Sequence, residues 1–576
     1  MIRLFEQHRV RVQKELEGIW RFVREDGKEY DLPVPGVWEQ HPDLINYRGK
    51  GTFYKKIYVP QATNLRLEFK GVSHTGDVYF DDKFVVHHYN AFTPFSGIVK
   101  NVEAGEHVIR VEVDNTFGEH SALHTPNDYY TYGGITRPVA LEELGDVYIK
   151  NVHFNPYTRD GKWFAKVEVW VENLSDEAQE VEVACGLAGA ATVGACCGGS
   201  VISGTCEGHY RSTVSLAAGE TGKVTWEQEY PDVESWNVGE GKLYFLETVL
   251  KDKNGAVIDD FIDRVGFREV TLQGNRILVN NKPVFLKGFN RHEDYNTYGC
   301  AIPVQAMVED MNLMEDLGSN AVRTCHYPND ERFLDLCDER GMMVWEENHA
   351  RGFNLEKMQN PNFEKQCEDC IDEMIYYHFN HPAIVIWGIL NECASETEEG
   401  RRMYKTQLEQ IKRLDTSRPH TFATCRHFTD ICLDLPDVVS FNIYTGWYQD
   451  MDMLERHEQE MDWIASTGGA GKPVIVSEFG GGGIYGYRSR IRDKWSEERQ
   501  GDIIRENLEI YREDARISGT FIWQFADCRV TEEEWAYSRP RSHNNKGVVD
   551  EYRRPKLAYD VVKEIFPTLQ ARPIEK

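Results

Sequence analysis

Over the first part of the chain, apolar and polar residues alternate in short runs such as GTFYKKIYVP, NLRLEFKGV, GDVYFDDKFVVHH and HVIRVEVDN, with turn residues between them. A period of two marks strands with one buried face, and no helical period interrupts it. The pattern predicts an antiparallel β-sandwich of jelly-roll type over residues 1–146. A second series, including VYIKNVHFNP, FAKVEVWVEN, QEVEVACGL and KLYFLETVLKD, fills residues 147–268 and suits an immunoglobulin-like β-sandwich. Within it, the Gly- and Cys-rich stretch around residues 186–208 reads as a loop or an irregular hairpin.

From residue 269 the pattern changes. Continuous apolar runs (KPVFLKGFN, NAVRTCHYP, MMVWEEN, AIVIWGILNE, HTFATCRH, VVSFNIYTG, PVIVSEFG and GTFIWQFAD) alternate with helical patterns such as VQAMVEDMNLMEDLG and NFEKQCEDCIDEMIYYHF. Continuous apolar strands joined by helices belong to parallel sheets covered on both faces. Eight repeats over residues 269–576 predict a (β/α)8 TIM barrel. The competing doubly wound sheet would place a GxGxxG after its first strand, and none is there.

Composition narrows the functional class. Apolar residues make up 41% of the chain and the net charge is −29, so the chain supports large cores and repels polyanions. Nucleic acid and an anionic membrane surface are excluded as partners on that ground. No run reaches the roughly 18 apolar residues of a membrane span, and the N-terminus lacks the apolar core of a secretory signal. Thirteen cysteines, scattered and odd in number, suit reduced thiols and a cytoplasmic protein better than a disulfide framework. Cys367 and Cys370 form a CxxC in a helical pattern with no second pair at zinc spacing, so they read as packing residues and no metal is expected.

Candidate chemistry gathers at the C-terminal ends of the barrel strands, where such folds carry their sites. Arg323 lies on the second strand, Asn391 and Glu392 end the fourth, Tyr444 follows the sixth, Glu478 ends the seventh and Trp523 the eighth. Strands four and seven lie across the barrel mouth, so Glu392 and Glu478 can flank one bond. Two opposed carboxyl groups serve glycoside hydrolysis, one as acid and one as nucleophile or base. Their protonation must differ, with Glu478 ionised beside a cation such as Arg323 and Glu392 holding a proton.

NHPAIVIWGILNE and PVIVSEFG resemble the acid/base and nucleophile signatures of glycoside hydrolase family two, which includes β-galactosidases, β-mannosidases and β-glucuronidases. LEGIWRF, VPGVWEQ and NYRGKGTFYKK resemble its N-terminal sandwich, and GFNRHED with AVRTCHYPND its first barrel strands, so the likeness spans nearly the whole chain. The resemblance implies a retaining hydrolase with Glu392 as acid/base and Glu478 as nucleophile. It implies that Asn391 bonds the sugar 2-hydroxyl, that Tyr444 supports the nucleophile, and that Trp523 forms a sugar platform. His292 and Asp128, the latter in the sandwich loop NDYYTYGGITR, would touch ring hydroxyls. It also implies no cofactor and a homo-oligomer, dimer or tetramer.

The stretch SHNNKGVVDEYRRPK resembles the Asn-x-Lys feature that marks β-glucuronidases, with Asn544 and Lys546 holding the C6 carboxylate. Physical chemistry agrees, because an acidic sugar entering an acidic protein beside two glutamates needs a compensating cation. Arg351, and Arg539 and Arg541 before the Asn-x-Lys, are further candidate cations that could read the carboxylate or the C4 hydroxyl. The expectation is a retaining exo-β-glucuronidase, with a β-galacturonidase or dual uronidase as the alternative. A β-galactosidase would leave Lys546 without an anionic partner, and a carbohydrate-binding protein without catalysis would not need both glutamates. The chain runs from ARGF straight into NLEKMQNPN after the third barrel strand, which predicts an open mouth suited to bulky or oligosaccharide leaving groups.

Overall fold

A computed structural model describes residues 2–190, 210–531, 533, 536 and 538–573. Most of the Gly- and Cys-rich stretch singled out in the sequence lies outside the described residues. The N-terminal region packs two antiparallel sheets. One has four strands in the order Val12–Glu15, Val139–Leu144, Thr63–Phe69, Phe95–Val102; the other has six, with Lys50–Val59 and Gly105–Asp114 paired at its centre. Burial along these strands follows the alternation of the sequence, with Phe53, Val111 and Leu67 turned inward against Trp20 and Trp38. The second sandwich sets three strands (Val147–Arg159, Lys162–Asn173, Thr221–Tyr230) on four (Tyr210–Leu216, Gln179–Ala190, Tyr244–Lys251, Val257–Val265), the sheet composition of an immunoglobulin-like domain.

A small three-stranded sheet over residues 270–284 leads into a closed barrel of eight parallel strands. These are β1 (Leu286–Asn290), β2 (Ala321–Thr324), β3 (Met343–Glu347), β4 (Ile384–Ile389), β5 (His420–Thr424), β6 (Val439–Asn442), β7 (Val474–Phe479) and β8 (Ile517–Ile522). Every residue of β4 and β7 is buried, which is why both read as unbroken apolar runs. Gly388 in β4 has a steric reason: a Cβ there would stand 2.3 Å from the Trp345 indole nitrogen on β3. The helices carry ordinary start signals, as where Asp330 caps Glu331–Arg340 and Thr397 caps Glu398–Leu414.

Buried arginines join the sandwiches to the barrel. Arg137 donates to Glu293 at 2.6 Å and to the Pro328 carbonyl at 2.8 Å, holding the first sandwich on the barrel mouth. Arg11 bonds Glu142 of the first sandwich and Asp259 of the second, at 3.0 Å each. The loop between these anchors carries residues 125–132 over the barrel opening, where the Tyr129 hydroxyl meets His349 at 3.0 Å.

Candidate active site

At the mouth of the barrel a cavity of about 270 Å3 is lined from every side: Asp128 of the sandwich loop, Arg351 after β3, Glu392 after β4, Tyr444 after β6, Glu478 on β7, and Trp523 after β8 with Arg539 and Lys546 beyond it. The two glutamates foreseen from the strand ends therefore share one small space.

Arg323 organises the floor. It is fully buried and spends all five of its N–H groups. Its Nε and Nη2 grip Glu347 at 2.9 Å each, Nη1 donates to Asn290 and to Glu478 at 2.9 Å, and Nη2 also reaches Asn391 at 2.8 Å. The second oxygen of Glu478 accepts a 2.7 Å bond from the Tyr444 hydroxyl. A guanidinium and a phenol thus fix the carboxyl of Glu478 in place, one donor per oxygen.

Glu392 is held differently. Its backbone sits in the left-handed region at φ 55°, a strained setting for a side-chain-bearing residue of the kind found at functional sites. One carboxyl oxygen accepts from the Asn442 amide at 2.9 Å, and Arg351 Nη2 stands 3.8 Å from the other. Ser477 donates to Asn442 Oδ1 at 2.7 Å, which turns the Asn442 amide N–H groups toward Asn391 and Glu392. Asn391 Oδ1 accepts from both Arg323 and Asn442, and its Nδ2 has no partner among the described residues.

Burial, followed by the charge of Glu392, pushes the Glu478 carboxyl up to about 7, against the pull of Arg323, Tyr444 and Arg351. The surroundings of the two carboxyls differ: Glu478 faces a guanidinium and a phenol, while Glu392 faces a neutral amide and a more distant arginine.

Around the pair, Trp523 lines the cavity and stacks on His326 at 5.2 Å and 19°. His292 lies beneath it, edge-on to Trp523 at 5.4 Å, with Nδ1 against the Tyr327 hydroxyl at 3.1 Å and Nε2 without a partner. Burial drives the His292 imidazole down to about 3, so the ring is neutral. His292, Cys325 and His326 offer ligand atoms within 4.8 Å of one another, as do Asp335, Asp338 and His381. In the second group Asp335 is already engaged by Arg3 at 2.7 Å and Asp338 by His381 at 2.5 Å.

The cationic side of the cavity departs from the sequence expectation in detail. Arg541 does not line it; the side chain turns away and pairs with Glu551, a buried carboxylate that captures it first. Arg539 takes the inward position and grips Asp128 with two bonds of 2.7 Å, so Asp128 reaches the cavity already paired. Lys546 lines the cavity at 2% exposure, its ammonium 5.3 Å from the ring centre of Tyr448, and has no carboxylate partner among the described residues. Asn544 is fully buried and does not line the cavity, and neither of its amide atoms has a bond among the described residues. The backbone here is held hard: the Lys546 carbonyl accepts from Gln524 N at 3.0 Å and from Gln500 at 3.2 Å. The Gly547 amide donates to Asp527 at 2.8 Å, and a Cβ at Gly547 would come within 2.3 Å of Asp527 N.

Three lining residues had no distinguishing signal in the sequence. Tyr448, Gln449 and His427 sit in polar loops after β6 and β5, and only the closed barrel brings them to the cavity. Although burial opposes it, Lys546 and Arg539 pull the Tyr448 phenol below its usual value, a sign of the positive field at this end.

Comparisons agree with this architecture. The chain resembles the solved structure of a GH2 beta-galacturonidase from Eisenbergiella tayi bound to galacturonate, with 47% identity, TM-score 0.93 and 99% of each chain covered. It resembles the beta-D-glucuronidase of Dictyoglomus thermophilum at 26% identity and TM-score 0.82, over 98% of each chain. Among curated relatives it is 26% identical to the beta-glucuronidase of Felis catus, over 96% of this chain and 91% of that one. Residues 30–144 match the sugar binding domain of the glycosyl hydrolases family 2 and residues 270–571 match its TIM barrel domain. The chain belongs to glycosyl hydrolase family 2.

Proposed function

We propose that this chain is a retaining exo-β-glucuronidase. In the first step the Glu478 carboxylate attacks C1 of a terminal β-uronide while Glu392 gives its proton to the departing glycosidic oxygen. In the second, Glu392 takes a proton from water, whose oxygen attacks C1 and releases the sugar from Glu478. Asn391 Nδ2 serves the 2-hydroxyl, Asp128 and His292 the ring hydroxyls, and Trp523 the sugar face.

One observation carries the choice of an acidic sugar: Lys546 is buried in the cavity without a carboxylate partner among the described residues. A buried ammonium with no carboxylate in contact is costly, and a uronate carboxylate in the cavity would pair with it. A second reading, β-galacturonidase or dual uronidase, is favoured by the 47% identical relative bound to galacturonate. The two sugars differ only at C4, and both present the same carboxylate to Lys546. Nitrophenol release from aryl β-glucuronide, β-galacturonide and β-galactoside decides among them: turnover of the galactoside at rates equal to both uronides would refute carboxylate recognition. Glu478→Gln abolishes turnover while leaving sugar binding measurable by calorimetry.

No described helix is long and apolar enough to cross a membrane. We place the enzyme in the cytoplasm, supported by cysteines that are mostly buried in the described residues. Assembly as a dimer or tetramer is part of the same proposal and is checked by sedimentation.

A further inference from the structure

A second cavity of about 260 Å3 opens beside the catalytic one, between residues 125–128 of the sandwich loop and the segment after β3, where Arg351, Gly352 and Lys357 line it together with Arg539. Asp128, Arg351 and Arg539 line both cavities, so the two adjoin across these side chains. The position relative to the chemistry follows from Arg351. Its Nη2 stands 3.8 Å from Glu392, the group assigned to protonate the departing oxygen, so the space beyond Arg351 lies where the leaving group exits.

The charge of this annex runs against that of the chain. In a protein of net charge −29, three cations here face one carboxylate, Asp128, which Arg539 already occupies. Arg351 donates to the Asn127 side chain at 2.5 Å and shares Glu392 only at longer range. Lys357 is exposed, 5.9 Å from the ring centre of Phe353, and has no carboxylate partner among the described residues. A neutral or hydrophobic leaving group would gain nothing from these charges, whereas an anionic one would be held by them.

We propose that the annex is the leaving-group subsite and that it takes a sugar carrying a carboxylate, so that the substrate is an acidic oligosaccharide whose terminal β-uronate is linked to a second sugar acid. This rests on the uronidase reading above and adds to it the chemistry of the second residue. The test uses two disaccharides with the same terminal β-uronate and linkage, one ending in a uronate and the other in the matching neutral hexose. The intact enzyme cleaves the acidic disaccharide with kcat/KM about 10-fold higher, and the preference shrinks as salt is raised toward about 1 M. Lys357→Glu removes the preference while aryl uronide turnover, whose leaving group brings no carboxylate to the annex, stays within about twofold. Equal cleavage of the two disaccharides, or a preference that survives Lys357→Glu, overturns the proposal while aryl uronide turnover still supports the uronidase. An enzyme that turns over no aryl uronide at all refutes the uronidase reading, and the subsite proposal with it.

Discussion

Replacing Lys546 by methionine removes one charge and keeps the length of the side chain. The lysine backbone is fixed by Gln524 and Gln500, and Gly547 by Asp527, so the loop has no reason to move. What is lost is a charge-assisted bond to the uronate carboxylate, worth roughly 1.5–3 kcal/mol, which corresponds to roughly a 10- to 150-fold fall in kcat/KM. A galactoside, which makes no such bond, changes by less than about threefold. The ligand-free variant gives up the attraction of Lys546 to Asp128 and its bond to the Tyr448 hydroxyl but sheds the burial cost of an ammonium, so its melting temperature should stay close to that of the parent. Saturating uronate raises the melting temperature of the parent by the linkage of binding to folding, and this rise is lost in the variant. Paired kinetics on aryl uronide and aryl galactoside, with thermal melts with and without free uronate, read all of this. Parallel losses on both substrates, or an undiminished melting shift, would refute the assignment of Lys546.

The catalytic pair makes a pH prediction. A nucleophile pushed up to about 7 is protonated and inactive below that value, so kcat/KM falls as pH drops through it. In Glu392→Gln the neighbouring charge is gone and the acid limb moves to lower pH; a limb that stays put would show that Glu392 does not raise the nucleophile. Arg323→Lys cannot fill five bonds, leaving Glu347 and Glu478 poorly paired in the core, and should cost about 3–5 kcal/mol in denaturant unfolding and lower kcat more than it raises KM. Gly547→Ala forces Asp527 or the Lys546 loop to shift and should harm uronide turnover more than galactoside turnover; equal effects would point to general unfolding.

The barrel and its two glutamates were legible because each rests on a local pattern: β4 and β7 are buried throughout, so their runs are unbroken and the carboxyl that ends each run is conspicuous. The partnership of Asp128 with Arg539 was not, because 411 residues separate them and nothing local ties a sandwich loop to a segment beyond β8. The choice between Arg539 and Arg541 was equally hidden. Arg541 holds φ 65° in a tight turn, which sends its side chain to Glu551 instead of the cavity. Asn544 and Lys546 were paired from their spacing, but spacing carried no depth, and only Lys546 reaches the open cavity while Asn544, fully buried, does not line it.

One wall of the reaction chamber comes from outside the barrel, on the loop that Arg137 clamps over the opening. A barrel expressed alone would keep both glutamates yet lack Asp128, leaving Arg539 unanchored and the sugar free to tilt. Substrate preference can therefore be retuned by exchanging a few residues of an ancillary sandwich, with the reacting groups left untouched.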